Sequence, residues 1–200
     1  MKERIIRAIY DDTTITLYQA FNSVIGRYAV KNQSFIGCPG FKIDRMTWVK
    51  PSFLWMMYRS GWATKHNQEC ILAIRIKREG FEWALQNSSL SQHLSISAEQ
   101  REEHREQLLS QPVRIQWDPE KDIDLKALPY RSIQIGLSGV AVTKYLNEWI
   151  VSIEDITPKC KTIYQLLATH QREEALRQLP QESIYNIDNH HIEIHINLSV

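Results

Sequence analysis

The segment from Asp44 to Lys65, DRMTWVKPSFLWMMYRSGWATK, combines residue types that are used to bind ligands. It contains three of the six tryptophans of the chain and four basic residues. A core segment would omit the cations, and a solvated segment would omit the tryptophans. Tryptophan rings supply stacking faces, and lysine and arginine bind phosphate oxygens. The segment therefore indicates a site for a ligand with a planar group and a phosphate.

Basic and polar residues on neighbouring elements extend this site. Lys50 and Ser52 flank Pro51 at the expected start of a helix, where free backbone N–H groups favour an anion. Arg59 comes at the end of the same helix. We predict a phosphate-bearing nucleotide or small molecule as ligand. The predicted binding residues are Arg7, Gln19, Trp48, Lys50, Ser52, Arg59 and Arg131.

Other clusters do not indicate a metal site or a cysteine nucleophile. His191 and His195 alternate with Glu193 on the tail, but residues four apart on a strand are separated by about 13 Å. These histidines therefore cannot share an ion on a strand. No CxxC pair or His/Cys cluster indicates zinc, and no histidine is indicated as a partner for Cys38 or Cys70, so we expect buried or incidental thiols. The common phosphate-loop, dinucleotide, serine-hydrolase and zinc-protease motifs are missing.

Composition places the chain among globular proteins. It has 200 residues, of which 43% are hydrophobic and 24% are charged, and a net charge of +1. This length fits one large domain, with or without a small appendage, and the charge gives no general argument for nucleic acid or membrane. No apolar run reaches the roughly 18 residues of a membrane span, and the N-terminus lacks the apolar stretch of a signal peptide. Three widely spaced cysteines indicate a reducing compartment, so we expect a cytoplasmic protein without a membrane partner.

The positioning elements follow from alternation, capping residues, prolines and glycines. Predicted strands cover residues 14–21, 70–77, 112–120, 131–139, 150–157 and the tail 190–200. Predicted helices cover 22–33, 51–60, 99–110, 139–149 with Ser138 as cap, and a C-terminal helix from 157 that breaks before 172, while 79–89 is predicted as a short helix or a turn. We expect an α+β domain with a central, mostly antiparallel or split sheet flanked by short helices. Residues 1–157 form the core domain, and 158–200 add a C-terminal helix and an edge strand packed on it.

Five stretches of sequence carry a family resemblance. They are IRAIYDDTTITLYQAF, DRMTWVKPSFLWMMYRSGWATK, ILAIRIKREGFEWAL, PVRIQWDPE and RSIQIGLSG…YLNEWIVSIEDIT. In this order they closely resemble the uncharacterised family called domain of unknown function 4291. The resemblance covers about residues 4–157 and leaves the segment from Pro158 outside it. The family name implies no activity.

A more distant resemblance is to the ADP-ribosyltransferase superfamily, whose split sheet holds NAD in a cleft. LYQAF followed by a short helix is similar to its early element, YRSGW to its middle element, and SIQIG or SIEDI to its late one. The resemblance implies an ADP-ribosyltransferase-like fold and NAD as cofactor. It also implies catalytic roles for Tyr18, Gln134 and Glu154.

Two functions from different classes fit these observations. The first is an enzyme that transfers ADP-ribosyl from NAD to an acceptor, which needs a carboxylate or amide near the cationic sugar. Gln134, Glu154 and Asp118 are alternatives for that group. The second is a non-enzymatic module that binds RNA or a modified nucleotide through stacking and basic residues. Residues three apart on a strand face opposite ways, so Gln134, and not Arg131, is expected in the cleft if the strand is flat.

Overall fold

The computed structural model describes residues 3–91, 111–187 and 189–198, which form one compact α+β domain. The strands are β1 (Arg7–Ala8), β2 (Thr14–Phe21), β3 (Thr47–Val49), β4 (Cys70–Lys77), β5 (Ser88–Leu90), β6 (Val113–Lys121), β7 (Ala127–Leu137), β8 (Ile150–Asp155) and β9 (Ser183–Ile184). The helices are α1 (Ser23–Asn32), α2 (Phe53–Ser60), α3 (Arg78–Gln86), α4 (Val140–Lys144), a π-helical turn (Tyr145–Trp149), α5 (Thr157–Ala168), α6 (Arg172–Arg177) and α7 (His190–His195).

Two sheets form the framework. A three-stranded antiparallel sheet has the order β2-β4-β8, and a four-stranded sheet has the order β3-β7-β6-β5. All pairs in the second sheet are antiparallel except β5 with β6. A short ribbon joins β1 to β9. The prediction of a mostly antiparallel α+β fold is confirmed.

The backbones of the two sheets are hydrogen-bonded to each other between β2 and Lys50, the residue that follows β3. Tyr18 N donates to Lys50 O at 2.7 Å, and Lys50 N donates back to Tyr18 O at 3.2 Å. Beside this bridge, Gln19 Nε2 donates to Thr47 Oγ1 at 2.8 Å and to Trp48 O at 3.1 Å. The backbone of Lys50 is therefore fixed where one sheet continues into the other.

Local sequence signals account for most of these elements. The strands predicted at 14–21, 70–77, 112–120, 131–139 and 150–157 are confirmed within a few residues. Asn22 caps α1 as expected, because its Oδ1 accepts from Val24 N and Ile25 N, each at 3.0 Å. In α2 the side chain of Ser52 is the cap, so Pro51 precedes the helix instead of opening it. The charged helix predicted at 99–110 lies outside the described residues.

The helix predicted at 139–149 differs from the structure in its cap and its second half. Gly139, and not Ser138, occupies the N-cap position, and the last turn is π-helical from Tyr145 to Trp149. The Tyr145 hydroxyl donates to Gln19 Oε1 at 2.9 Å, and Trp149 is buried. π-Helical turns occur within α-helices, frequently at functional sites, and this one brings Tyr145 against the sheet junction.

The tail was predicted as a strand, and this prediction is wrong. Residues 190–195 form α7, which begins where Asn189 Oδ1 accepts from His191 N at 3.0 Å. Ile192 and Ile196, four apart, lie buried on one helical face, while Ile194 is exposed. The spacing of the isoleucines in HIEIHI fits a strand, in which every second residue shares a face, and also a helix, in which residues four apart share a face. Contacts with the core stabilise the helix.

The helical tail also removes the argument used against a histidine pair, since residues four apart on a helix are neighbours. His195 Nε2 instead lies 2.7 Å from Ser88 O, a contact within the protein. Within the described ranges, no group of three or more His, Cys, Asp or Glu residues is placed to hold a metal ion. Nor is any helix in those ranges long and apolar enough to cross a membrane.

Candidate functional site

A cleft of about 610 Å³ opens at the junction of the two sheets. Its walls come from β2, β3, α2 and residues 66–68, and its floor comes from β6 and β7. It therefore collects side chains that are far apart in sequence, from Gln19 to Gln134.

Helix α2 supplies the aromatic and cationic wall. Ser52 Oγ accepts from Trp55 N at 3.2 Å at its start, and Gly61 ends it in the left-handed conformation with φ of 59°. Between these signals Trp55 and Arg59 are four residues apart, so they lie on one helical face. Both side chains line the cleft, and Trp55 is buried.

Lys50 is the most unusual residue of the cleft. Its relative exposure is only 4%, although lysines are almost never buried without a partner. The ammonium lies 5.0 Å from the centroid of the Trp55 ring. Within the described part of the chain, it makes no hydrogen bond or ion pair. Desolvation, and then the neighbouring Arg59, lowers the pKa of Lys50 to about 8, while Asp118 acts in the opposite direction.

Arg59 adds a second charge to the same wall. Its side chain is exposed to the cleft, and its guanidinium has no carboxylate partner among the residues that the structure describes. Its mutual repulsion with Lys50 contributes to the lowered pKa of that lysine. The cleft therefore holds two cations whose charge is not balanced by an ion pair.

The floor of the cleft carries a polar cluster from two paired strands. Gln116 on β6 lies directly opposite Gln134 on β7. Asp118 accepts from Gln116 Nε2 at 2.9 Å and from Gln134 Nε2 at 2.7 Å. A carboxylate only accepts hydrogen bonds, so both amide NH₂ groups face Asp118 and both amide oxygens remain as acceptors.

Trp48 lies against the backbone of the floor. A Cβ atom at Gly136 would be 2.6 Å from Met46 Sδ and 3.0 Å from the Trp48 ring. Trp48 is paired with Gly136 in the β3–β7 ladder. Glycine is therefore required here for the indole to lie close to the strand.

We expect Gly136→Ala to destabilise the fold by about 1–3 kcal/mol, the usual cost of overpacking. The Trp48 ring and Met46 would have to move, because the added methyl group occupies their space. Urea unfolding of parent and variant measures this change. If the variant unfolds at the same urea concentration as the parent, the close packing of Trp48 on Gly136 does not require a glycine.

Gln19 lines the cleft, but its amide is already engaged within the protein. Its Nε2 binds β3, and its Oε1 accepts from the buried Tyr145 hydroxyl at 2.9 Å. It is 4% exposed. Gln19 therefore positions Trp48 and joins the sheets, a role that differs from the predicted contact with a ligand.

Three other predicted residues do not reach the cleft. Tyr18 is buried beneath α2 in a second apolar cluster, where desolvation raises its pKa well above the ordinary value. Glu154 is exposed on β8, opposite Ala73. Arg131 Nη1 donates to Trp117 O at 3.0 Å, and its Nε lies 3.4 Å from Glu3. The structure thus brings together Gln19, Trp48, Lys50, Arg59 and Gln134, and leaves these three outside.

Arg7 and Ser52 belong to a second cavity, of about 380 Å³, at the N-terminal end of α2. Ser52 Oγ donates to the buried Glu120 at 2.9 Å, and Arg7 Nη2 donates to Glu182 O at 3.0 Å. Glu182 Oε1 accepts from Phe53 N at 2.7 Å. These two predicted residues therefore contact carboxylates and backbone in place of a ligand in the main cleft.

The two glutamates of this cavity are perturbed by their surroundings. Desolvation, with a contribution from Glu120, raises the pKa of Glu182 to about 8. Desolvation also raises the pKa of Glu120, against the hydrogen bonds from Lys121 N and Ser52. Carboxylates suit a helix N-terminus, but burial makes their charge costly.

Sequence reasoning missed Gln116, Glu120 and Glu182. Gln116 and Glu120 could have been predicted from the segment VRIQWDPE, because its apolar residues alternate with polar ones. The polar positions of such a strand share one face. Nothing near Glu182 in sequence indicates its contact with α2.

The family model described as "Domain of unknown function (DUF4291)" matches residues 5–185. No curated protein gives a significant match. The matched range contains the whole cleft and the second cavity. It also extends past residue 157, where the resemblance read from the sequence ended, so that boundary was too early.

Proposed function

We propose a function from the cleft itself, since the chain belongs to the family Domain of unknown function (DUF4291), whose description assigns none. The cleft binds a phosphate-bearing nucleotide. Lys50 and Arg59 hold the phosphates, the tryptophans contact a planar group, and the amide oxygens of the floor accept hydrogen bonds from hydroxyl or amino groups.

The largely buried Lys50, whose ammonium has no protein partner among the described residues, carries this proposal. Burying a charge without a partner is unfavourable, so a protein that keeps such a lysine beside an arginine loses stability in the empty state. An anionic ligand supplies the missing partner for both cations. Charge-assisted hydrogen bonds of this kind are about twice as strong as neutral ones.

The planar and polar parts of the ligand follow from the other walls. The Lys50 ammonium lies 5.0 Å from the centroid of the Trp55 ring, and the Trp48 ring lies close to Gly136 of the floor strand. Indole faces stack on bases without strong sequence preference. Gln116 and Gln134 offer acceptors between them, which suits a ribose or a base edge.

For the reaction, we propose ADP-ribosyl transfer from NAD in an ADP-ribosyltransferase-like arrangement of two sheets around the cleft. Asp118 supports this proposal, because it is the carboxylate that lies with Gln134 behind the floor. A fixed negative charge stabilises a developing oxocarbenium ion. Glu154, the alternative carboxylate, is exposed on a different sheet and does not serve this role.

We expect Arg59→Ala to weaken nucleotide binding by about 1.5–3 kcal/mol, the range for a hydrogen bond to a charged group. Fold stability should change little, because the guanidinium has no protein partner in the described residues. Calorimetric titration of NAD and ADP-ribose at low and high salt measures the loss. Arg131→Ala is the matched control, since that arginine pairs with Glu3 outside the cleft.

Failure of the parent protein to bind either nucleotide at millimolar concentration contradicts the proposal. Short RNAs form a separate arm of the same titration. An RNA that binds with a steep dependence on salt, while NAD and ADP-ribose do not bind, would favour the non-enzymatic RNA module.

A further inference from the structure

The backbone of Lys50 is fixed and its side chain is buried. Its backbone exchanges two hydrogen bonds with Tyr18 at the junction of the sheets. Its side chain is 4% exposed and extends under the Trp55 ring to the cleft. A buried lysine that ends in a cavity without a protein partner has the access and the rigidity that a reacting group needs.

The surroundings of Lys50 match those that activate a lysine. Reactive lysines in enzymes are desolvated or lie next to another cation, because either condition favours the neutral amine. Lys50 meets both conditions, since it is buried and is adjacent to Arg59. By contrast, Lys121, whose ammonium lies 3.9 Å from the Tyr58 ring, does not line the cleft.

We propose that Lys50 is a nucleophile that forms an imine with the carbonyl carbon of a phosphorylated aldehyde bound in the cleft. Arg59 binds the phosphate, and Trp55 covers the reacting nitrogen. The inference shares the anion-binding cleft with the proposed function, but it does not require that the ligand be a nucleotide. ADP-ribose combines both properties, because its open-chain ribose carries an aldehyde.

The chemistry balances without another reactant. The lone pair of the neutral amine attacks the carbonyl carbon and forms a C–N bond, and one of the two amine protons moves to the carbonyl oxygen. The C–O bond then breaks, the hydroxyl group leaves as water with the second amine proton, and a C=N bond remains. One amine and one aldehyde give one imine and one water, and no electron is exchanged with an oxidant or reductant.

The lowered pKa of Lys50 agrees with a role as a nucleophile. Its pKa is lowered to about 8, so a usable fraction of the amine is neutral near neutral pH. Removing Arg59 takes away one cause of that lowering, so the pKa should rise. The same change also removes the phosphate contact. Arg59→Ala should therefore slow the reaction and shift its pH dependence upward.

The test uses pyridoxal 5′-phosphate, an aldehyde with a phosphate and an aromatic ring, followed by borohydride reduction and peptide mass mapping. We expect Lys50 to be labelled at least about tenfold faster than any other lysine, with a midpoint near pH 8. Lys50→Arg keeps the charge but should abolish the fast label. Lys121→Arg is the matched control and should leave it unchanged.

Labelling of Lys50 no faster than that of exposed lysines, in a protein that melts normally, overturns the inference. So does an Arg59→Ala variant with the parental rate and pH profile. The two proposals fail separately. Nucleotide binding without imine formation overturns only the nucleophile, and imine formation without nucleotide binding overturns only the proposed function. Reduction of the protein with ADP-ribose in place of pyridoxal phosphate should give the same labelled peptide.

Discussion

Glu182→Gln is expected to make the protein more stable than the parent above pH 8, by on the order of 1–3 kcal/mol. The pKa of Glu182 is raised from 4.5 to about 8, mainly by desolvation. Between these two values the folded state therefore holds a proton that the unfolded state has lost. The parent loses stability as the pH rises through this window, and the loss is complete above about pH 8. Glutamine stays neutral and can still accept from Phe53 N, so it avoids the loss.

Urea unfolding at several values between pH 4 and pH 9 measures this effect. The parent should show a falling free energy of unfolding through the window, and the variant should show a flatter profile. Ser52→Ala is the control, because it removes a cap without removing a carboxyl group. It should lower stability at every pH, by about 1 kcal/mol, and because Glu182 is still present the fall in stability with rising pH should remain. Parallel profiles for parent and Glu182→Gln would contradict the raised pKa.

Lys50→Met is expected to stabilise the fold at pH 7 by up to about 3 kcal/mol while abolishing ligand binding. The pKa of Lys50 is lowered from 10.5 to about 8. Between these values the unfolded state binds the additional proton, so the parent gains stability as the pH rises through this window. Below pH 8 it carries the full cost of the buried charge. Methionine fills a similar volume without that charge.

Comparison of unfolding at pH 7 and pH 10.5, together with titration of ADP-ribose, separates function from structure. The stability advantage of the variant should shrink at the higher pH, because Lys50 of the folded parent is then neutral and no longer carries the cost of a buried charge. Lys121→Met, at an ammonium outside the cleft, should give neither effect. A variant that is less stable than the parent at pH 7 would show that Lys50 serves the fold.

Glu182 and Lys50 change the free energy of unfolding in opposite directions over two adjacent pH ranges. Glu182 lowers stability from about pH 4.5 to 8, and Lys50 raises it from about pH 8 to 10.5. The parent should therefore be least stable, with respect to these groups, near pH 8. A protein that keeps both costs is selected for something other than stability, and stability is often reduced at functional sites.

Local signals in the sequence determined the positions of most elements. The N-cap Ser52 and the left-handed Gly61 bound α2, and Asn22 begins α1 as predicted. Runs rich in β-branched and aromatic residues predicted β2 and β4. Signals of this kind act within one turn or between neighbouring residues, so a single sequence carries them. The mixture of tryptophans and cations around α2 likewise pointed to the wall that lines the cleft.

Local sequence signals did not predict the structure of the tail, because its pattern of apolar residues fits both a strand and a helix. The HIEIHI tail satisfies a strand and a helix, and only its contacts with the core decide between them. Ile192 in α7 and Ile196, the residue that follows α7, are both buried, and Ile196 O accepts from Trp117 Nε1 at 2.9 Å. A strand would place these two residues on one face as well, so the sequence pattern gave no preference.

The tertiary structure alone decided which polar residues form the site. The register of β6 against β7 places Gln116 opposite Gln134 and brings Asp118 to both amides. Arg131, three residues from Gln134, is directed to Glu3 and the backbone instead. The sequence indicated that Lys50 lies beside aromatic rings. Its burial, and therefore its proton affinity, depends on surfaces from both sheets, because desolvation is a property of the packed fold and not of neighbouring residues in the chain.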